Sequence, residues 1–369
     1  MIYNVIATVS LLFLMIIIEC PAIEEKMSAL TLKEIIKKTA GLYIDKRFHN
    51  KNETFMRIRI SDIERTVLIT GCNAAYLNHL RNFKCFIDRI GFKATVIAMD
   101  KSTHDFIESQ KYTNMFSYLI DDDTSTIPSS NNRTRHTSKG VIREQAADFR
   151  SPQFNLISNK KIEGVYNIIK EGYHAIFIDP DVVMLRDPAP YLFWDNVDYV
   201  HSLNWICPHS NKWDFYQTEE EGNTGFYFIR STRAAMSLLS LTLKSAIKHP
   251  NLDDQSVFWQ LIRQLKSPTM SVKPLKKCND QAFNSSVSNI ENAPHLTTCH
   301  LDGCVFSVGA LRGVAYNWLK DNLAKKREAV VTIHANYIKG NALKMKALQK
   351  HGYWITDNKN KCNPFSQNF

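Results

Sequence analysis

Two carboxylates, Asp179 and Asp181, stand on either side of a proline and come directly after the apolar run His174-Ala-Ile-Phe-Ile178. In an open α/β sheet, ligands gather at the carboxyl ends of strands, so acids emerging there stand where a ligand would bind. Closely spaced carboxylates offer the hard oxygen donors a divalent cation takes, and diphosphate oxygens favour the same kind of ion. A cation held there would act as a Lewis acid on a departing phosphate group, in place of a proton donor. Asp pairs also close turns and cap helices. A ligand site is favoured by the position after a buried strand, ahead of Val182-Val183 and the turn Arg186-Asp187-Pro188.

The elements that must hold these acids are set by hydrophobic periodicity. Residues 66–70 form a short β-rich run ending at Gly71, 74–90 carry apolar positions at helical spacing, and 94–98 form a second buried strand. This is a βαβ unit and implies a parallel sheet with a right-handed crossover. A helix over 154–170 ends at Glu171-Gly172 before the central strand 174–178. A further strand is expected over 223–230, helices over 234–248 and 255–265, and a late strand over 329–333. Residues 121–149 are polar, with three consecutive acids, and read as a long loop of the kind that serves as a lid. The class is α/β, with a mostly parallel central sheet flanked by helices and no internal repeat.

With 369 residues and 44% hydrophobic content, one large domain with an N-terminal appendage is expected. Lys and Arg (46) exceed Asp and Glu (36), giving a formal charge of +10 that suits anionic ligands such as a pyrophosphate, or equally a Lys-rich solvated surface. Without zinc-finger spacing, an RRM-like aromatic signature or a continuous basic helix, nucleic acid is not an expected partner. Residues 5–18 are apolar apart from Thr8 and Ser10, and Cys20 and Ala22 occupy the small-residue positions of a cleavage site. Residues 1–22 therefore read as a signal peptide or a signal anchor, with membrane anchoring through 1–18, followed by a stem (23–63), the main domain (64–356) and a C-terminal tail (357–369). The expected location is the lumen of the Golgi or endoplasmic reticulum. Sequons at Asn52, Asn132 and Asn284 agree with it. The eight cysteines (20, 72, 85, 207, 278, 299, 304 and 362) lack C-x-x-C pairs, so disulfides are expected rather than zinc, with Cys72 and Cys85 also readable as core thiols.

Gly172-Tyr173, Phe177-Ile-Asp-Pro-Asp-Val-Val183 and Leu185-Arg-Asp-Pro188 resemble the core of the nucleotide-diphospho-sugar transferase domain, which includes plant rhamnogalacturonan xylosyltransferase-like and arabinosyltransferase-like proteins. Leu68-Ile-Thr-Gly-Cys-Asn-Ala-Ala-Tyr76 resembles that family's nucleotide-binding strand and turn, and 154–161 its Lys-bearing segment. Asn223-Thr-Gly-Phe-Tyr-Phe-Ile-Arg230, Asp254-Gln255 and His334-Ala-Asn-Tyr-Ile-Lys-Gly340 stand where its later motifs stand. Pro180 between the acids departs from the family's usual pattern.

The resemblance implies a GT-A fold, a Rossmann-like half binding the nucleotide, and a glycosyltransferase using a UDP-linked or similar nucleotide sugar on a glycan or glycoprotein hydroxyl, with retention of anomeric configuration. By that resemblance Asp179, Asp181 and His334 hold the metal. An imidazole ligand suits manganese better than magnesium. Thr70, Asn73, Lys161, Asp179, Asn223, Thr224, Gly225, Gly340 and Lys344 would line the donor site, with Asp254 and Gln255 nearest the transferred sugar. Several keep structural alternatives: Lys161 and Lys344 as solvated helix lysines, Asn223-Thr224-Gly225 as an ordinary turn, Asp253 or Asp254 as an N-cap. A haloacid-dehalogenase-like phosphatase also uses D-x-D-x-[TV] at a strand end, but near the start of its domain and with a later Gly-Asp pair, which this chain lacks. A catalytically silent secreted binding protein is the other alternative.

Overall fold

The computed structural model describes residues 30–41, 60–120, 147–204, 222–264, 266–267, 270–272, 276–277, 295–309, 311, 317, 320 and 330–364. The leader, the three sequon asparagines and residues 121–146 of the expected lid lie outside the described residues. Among the described residues, no helix is long and apolar enough to cross a membrane.

Helix α1 (Leu32–Thr39) buries Ile35, Ile36 and Thr39, and Thr39 Oγ1 lies 2.8 Å from Thr95 Oγ1 of the sheet. Helix α2 (Ile60–Glu64) presents Asp62 to the Arg230 guanidinium at 2.7 Å, in a setting where both side chains are buried. Helix α1 falls within the segment expected as a stem and α2 spans its end, and both belong to the folded unit that runs from Leu32 to Phe369.

Strand β1 (Thr66–Cys72) is buried at every position, as a strand covered on both faces must be. It leads through α3 (Leu77–Ile90) to β2 (Ala94–Ala98), and through α4 (Lys101–Gln110) to β3 (Met115–Leu119). Helix α5 (Pro152–Lys170) starts two residues earlier than its periodicity suggests, because Ser151 caps it by accepting from Phe154 N and Pro152 fits its first turn. It feeds β4 (His174–Ile178), then β5 (Val182–Met184), β6 (Tyr199–Leu203) and β7 (Gly222–Ile229). Helices α6 (Arg233–Lys248) and α7 (Asp254–Gln264) come next, then β8 (Lys276–Lys277), β9 (Thr298–His300), β10 (Phe306–Val308), β11 (Thr332–His334) and α8 (Asn341–Lys350).

Among the described residues, the main sheet has eight strands in the order β8-β9-β6-β7-β4-β1-β2-β3. Within it, β7 runs antiparallel to its neighbours β4 and β6, and the other pairs are parallel. Successive residues of β1 face opposite sides. Leu68 and Cys72 pack with Leu80, Phe83 and Phe86 of α3, whereas Val67 and Ile69 pack with Ile162, Val165 and Ile169 of α5. The expected mostly parallel sheet between two helical layers is the one observed.

A small second sheet, β10-β11-β5, matters most for the site. Strand β11 runs antiparallel to β5 with His334 opposite Val182, so the last residue of β11 is brought beside the acid that precedes β5.

Cys85 of α3 is bonded to Cys362, closing the C-terminal segment onto the first helix of the βαβ unit. Cys299 and Cys304 are disulfide-bonded as well. Cys72 stays a buried thiol, and burial, with Asp100 adding to it, pushes that thiol upward and makes it inert.

Candidate active site

The chain leaves β4 through a tight turn in which Val182 N donates to Asp179 O at 3.0 Å. Pro180 occupies the second position of that turn, where its fixed φ is favourable. The departure from the family's usual pattern therefore strengthens the turn rather than disturbing the acids. Asp179 N donates to Gly225 O across the sheet, and Ala335 N donates to Asp181 O from the end of β11. Backbone on both sides thus anchors the two acids. The result is a cluster in which ligand atoms of Asp179, Asp181 and His334 all lie within 4.8 Å of one another. His334 Nε2 stands 3.4 Å from Asp181 Oδ1, and its Nδ1 is buried without a hydrogen-bond partner among the described residues.

Two ammonium groups flank the cluster. Lys344 of α8 places Nζ 2.6 Å from Asp181 Oδ2. Lys161 of α5 places Nζ 3.1 Å from Asp179 Oδ1 and 3.3 Å from Asp254 Oδ2. Burial alone would raise the Asp181 carboxyl, but Lys344 and His334 beside it outweigh that and hold it well below the usual carboxylate range. Burial alone would lower both lysines, and the facing carboxylates reverse that and raise them. Asp254 behaves differently. Burial pushes its carboxyl up, Lys161 opposes the shift, and Asp179 and Asp253 add to it.

The neighbouring acids 253 and 254 have separate tasks. Asp253 is the cap of α7, its Oδ1 accepting from Ser256 N at 2.7 Å. Asp254, one residue on, turns inward to Lys161. Gln255 comes next, and its Oε1 accepts from Asn223 Nδ2 at 3.3 Å and from Thr224 N at 3.4 Å. Asn223 Oδ1 in turn accepts from Gly225 N at 2.8 Å.

Gly225 is a glycine for a steric reason. A Cβ there would lie 2.3 Å from His334 Cε1 and 2.9 Å from Asp179 Oδ2. Gly225→Ala should therefore push the imidazole and a carboxylate apart, lowering affinity for a divalent ion by about 10- to 100-fold and stability by about 1–3 kcal/mol. Calorimetric metal titration and a thermal melt check it, and wild-type values in both would contradict the packing described.

Of the donor-site residues expected from the sequence, Asp179, Asp181, His334, Lys161, Lys344, Asn223, Thr224, Gly225, Asp254 and Gln255 converge. Gly340, at φ +87°, opens α8 and so places Lys344 one turn later. Asn73 sits buried at the carboxyl end of β1, ahead of a short turn. Thr70 lies inside β1, paired in register with Val96 and fully buried. Three neighbours are not singled out by the sequence. Tyr76, whose hydroxyl burial pushes upward, lies within the electrostatic reach of Lys344, Asp181 and Asp179. Tyr337 donates to Asn204 at the end of β6. Tyr76 and Tyr337 are inside recognisable motifs, whereas Asn204 carries no local signal.

Residues 92–348 match the model of the nucleotide-diphospho-sugar transferase family. The chain belongs to this family, and its α/β sheet, mostly parallel with helices on both faces, is the GT-A arrangement. It is similar to the UDP-galactose:fucoside alpha-3-galactosyltransferase of Dictyostelium discoideum, with 25% identity over 205 residues that make up 52% of this chain and 30% of that protein. It is also similar to a UDP-D-xylose:L-fucose alpha-1,3-D-xylosyltransferase of Arabidopsis thaliana, with 26% identity over 224 residues, 58% of this chain and 53% of that protein. The chain thus spans about half the length of the second relative and less than a third of the first. Among solved structures it is similar to the glycosyltransferase GlyE of Streptococcus pneumoniae, with a TM-score of 0.43 and 11% identity, covering 83% of this chain and 66% of that one.

Proposed function

We propose that this protein is a metal-dependent glycosyltransferase that moves a sugar from a UDP-sugar to a hydroxyl of a glycan or glycoprotein. The Asp179–Asp181–His334 cluster, in a chain of this family, carries the proposal. Two carboxylates, a buried imidazole nitrogen without a partner among the described residues and a glycine-lined wall fit a divalent ion, and the nitrogen donor favours manganese over magnesium. When bound, the ion supplies Lewis-acid stabilisation of the departing diphosphate.

The chain's own groups do the rest. Lys344 brings a buried positive charge to the side of the cluster from which α8 starts, suited to a diphosphate oxygen. Lys161 bridges Asp179 and Asp254, so that the two carboxyl groups stand together beside the position proposed for the transferred sugar, where negative charge would stabilise an oxocarbenium-like transition state. Gln255, its amide oxygen held by Asn223 and Thr224, is oriented toward the same place. Asn73, just after β1, would read the base. The leaving diphosphate deprotonates the acceptor hydroxyl on the face it leaves, giving retention, in keeping with the alpha linkages in the relatives' names. Those names also make fucosides the first acceptors to test. The Cys85–Cys362 bridge supports an oxidising lumen, Golgi or endoplasmic reticulum, reached through a leader in residues 1–22 that is cleaved or serves as an anchor through 1–18.

The test is a donor screen: purified protein with UDP-galactose, UDP-xylose and other nucleotide sugars, a fucoside acceptor, and manganese, magnesium or a chelator. The expected outcome is UDP release that needs donor and acceptor, is abolished by chelation and is restored by manganese. Phosphate release from a generic phosphoester that ignores sugar nucleotides would overturn the proposal, and so would donor binding without turnover.

A further inference from the structure

Tyr337 lies in the segment between His334 and α8, and it holds a backbone φ of +58°, a left-handed conformation that a bulky residue adopts only when its surroundings enforce it. Its hydroxyl donates to Asn204 O at 2.9 Å and lies 3.1 Å from Asn204 Oδ1. Asn204 follows β6 directly, and its Oδ1 also accepts from Asn223 Nδ2 at 3.3 Å. The same Asn223 amide reaches Gln255 Oε1, and Asn223 Oδ1 takes the Gly225 amide. A continuous chain of hydrogen bonds therefore runs from the loop after His334 through Asn204 and Asn223 to Gln255.

We propose that Tyr337 and Asn204 form a latch that couples the His334 loop to the Asn223–Gln255 pair, so that Tyr337 is a positioning residue for Gln255. The inference rests on the glycosyltransferase reading above and adds residues that act on its chemistry without touching the cluster. A latch of this kind fixes geometry rather than ion affinity. The phenol ring itself is exposed, so the hydroxyl can be removed without opening a core cavity.

Tyr337→Phe and Asn204→Ala, alone and together, test it in the full chain. Both single variants should lower kcat about tenfold while UDP–manganese affinity and melting temperature stay at wild type, and the double variant should be no worse than the more impaired single one. Independently of turnover, hydrogen exchange at the Thr224 and Gly225 amides, which donate to Gln255 and Asn223, should quicken about tenfold in each variant. Wild-type exchange at these amides in Tyr337→Phe overturns the latch. So do additive losses, or a fall in melting temperature with unchanged kcat. If the wild-type chain turns over no donor, the glycosyltransferase reading fails, and the exchange measurement still decides the latch.

Discussion

Asp181→Asn is expected to lower transfer about 10³-fold, the largest loss for any single substitution at the site. The carboxylate is 3% exposed, touches His334 on one oxygen and Lys344 on the other, and is kept ionised by both. Asparagine preserves its shape, so the loss is one of charge: a single carboxylate remains for the ion, and the buried Lys344 ammonium loses its closest counter-charge. Manganese titration should show affinity falling together with kcat, and a thermal melt should show a smaller decrease. Full activity in this variant would remove the ion from the proposed chemistry.

Lys161→Met should have the largest effect on stability, about 3–5 kcal/mol, because it leaves two carboxylates facing each other in a desolvated place. Lys161 is the only cation that bridges Asp179 and Asp254 among the described residues. The sign of the pH dependence is set by Asp254, whose carboxyl burial already raises above its unfolded value. A carboxyl raised in the folded state binds its proton more tightly there, so folding is favoured below the unfolded value and loses that advantage as pH rises through the folded one. Removing Lys161 raises Asp254 further. The deficit relative to wild type should therefore be full at neutral pH and shrink as pH falls toward the ordinary carboxylate range. Denaturant titrations at several pH values measure it, and a deficit that does not change with pH would assign the loss to packing of the lysine stem.

Much of this site is legible in the chain itself. The acids of 179–181 stand out because a five-residue apolar run reads as a buried strand, and the residues after such a strand emerge at its carboxyl end, where ligands gather. The helix over 152–170 and the strand 94–98 are equally plain, since period and length are local properties of a segment. Strand β5 is another matter, since three residues are too few to show alternation, and although a late strand is expected over 329–333, its pairing with β5 joins distant parts of the chain.

For Asp253 and Asp254 the sequence offers two adjacent acids and two tasks without assigning them. The start of α7 decides: the residue just outside the first turn can reach the free amides, and the next one is carried round the helix toward Lys161. Lys344 reads equally well as a solvated lysine until the placement of α8 settles it. Asn341 holds the start of that helix against Ala75 O and the His79 ring, and this aims the fourth residue of the helix at Asp181.

By itself, then, the sequence determined the class of fold, the strand-end acids and the family they belong to, because hydrophobic period and adjacent chemistry are written within short segments. The resemblance already grouped His334 with the two acids, and only the tertiary structure decided that Lys161 is shared by two carboxylates and that Tyr337 meets Asn204. Those contacts depend on strand register and helix placement, which are set by burial summed over the whole chain and leave no mark on the residues that make them.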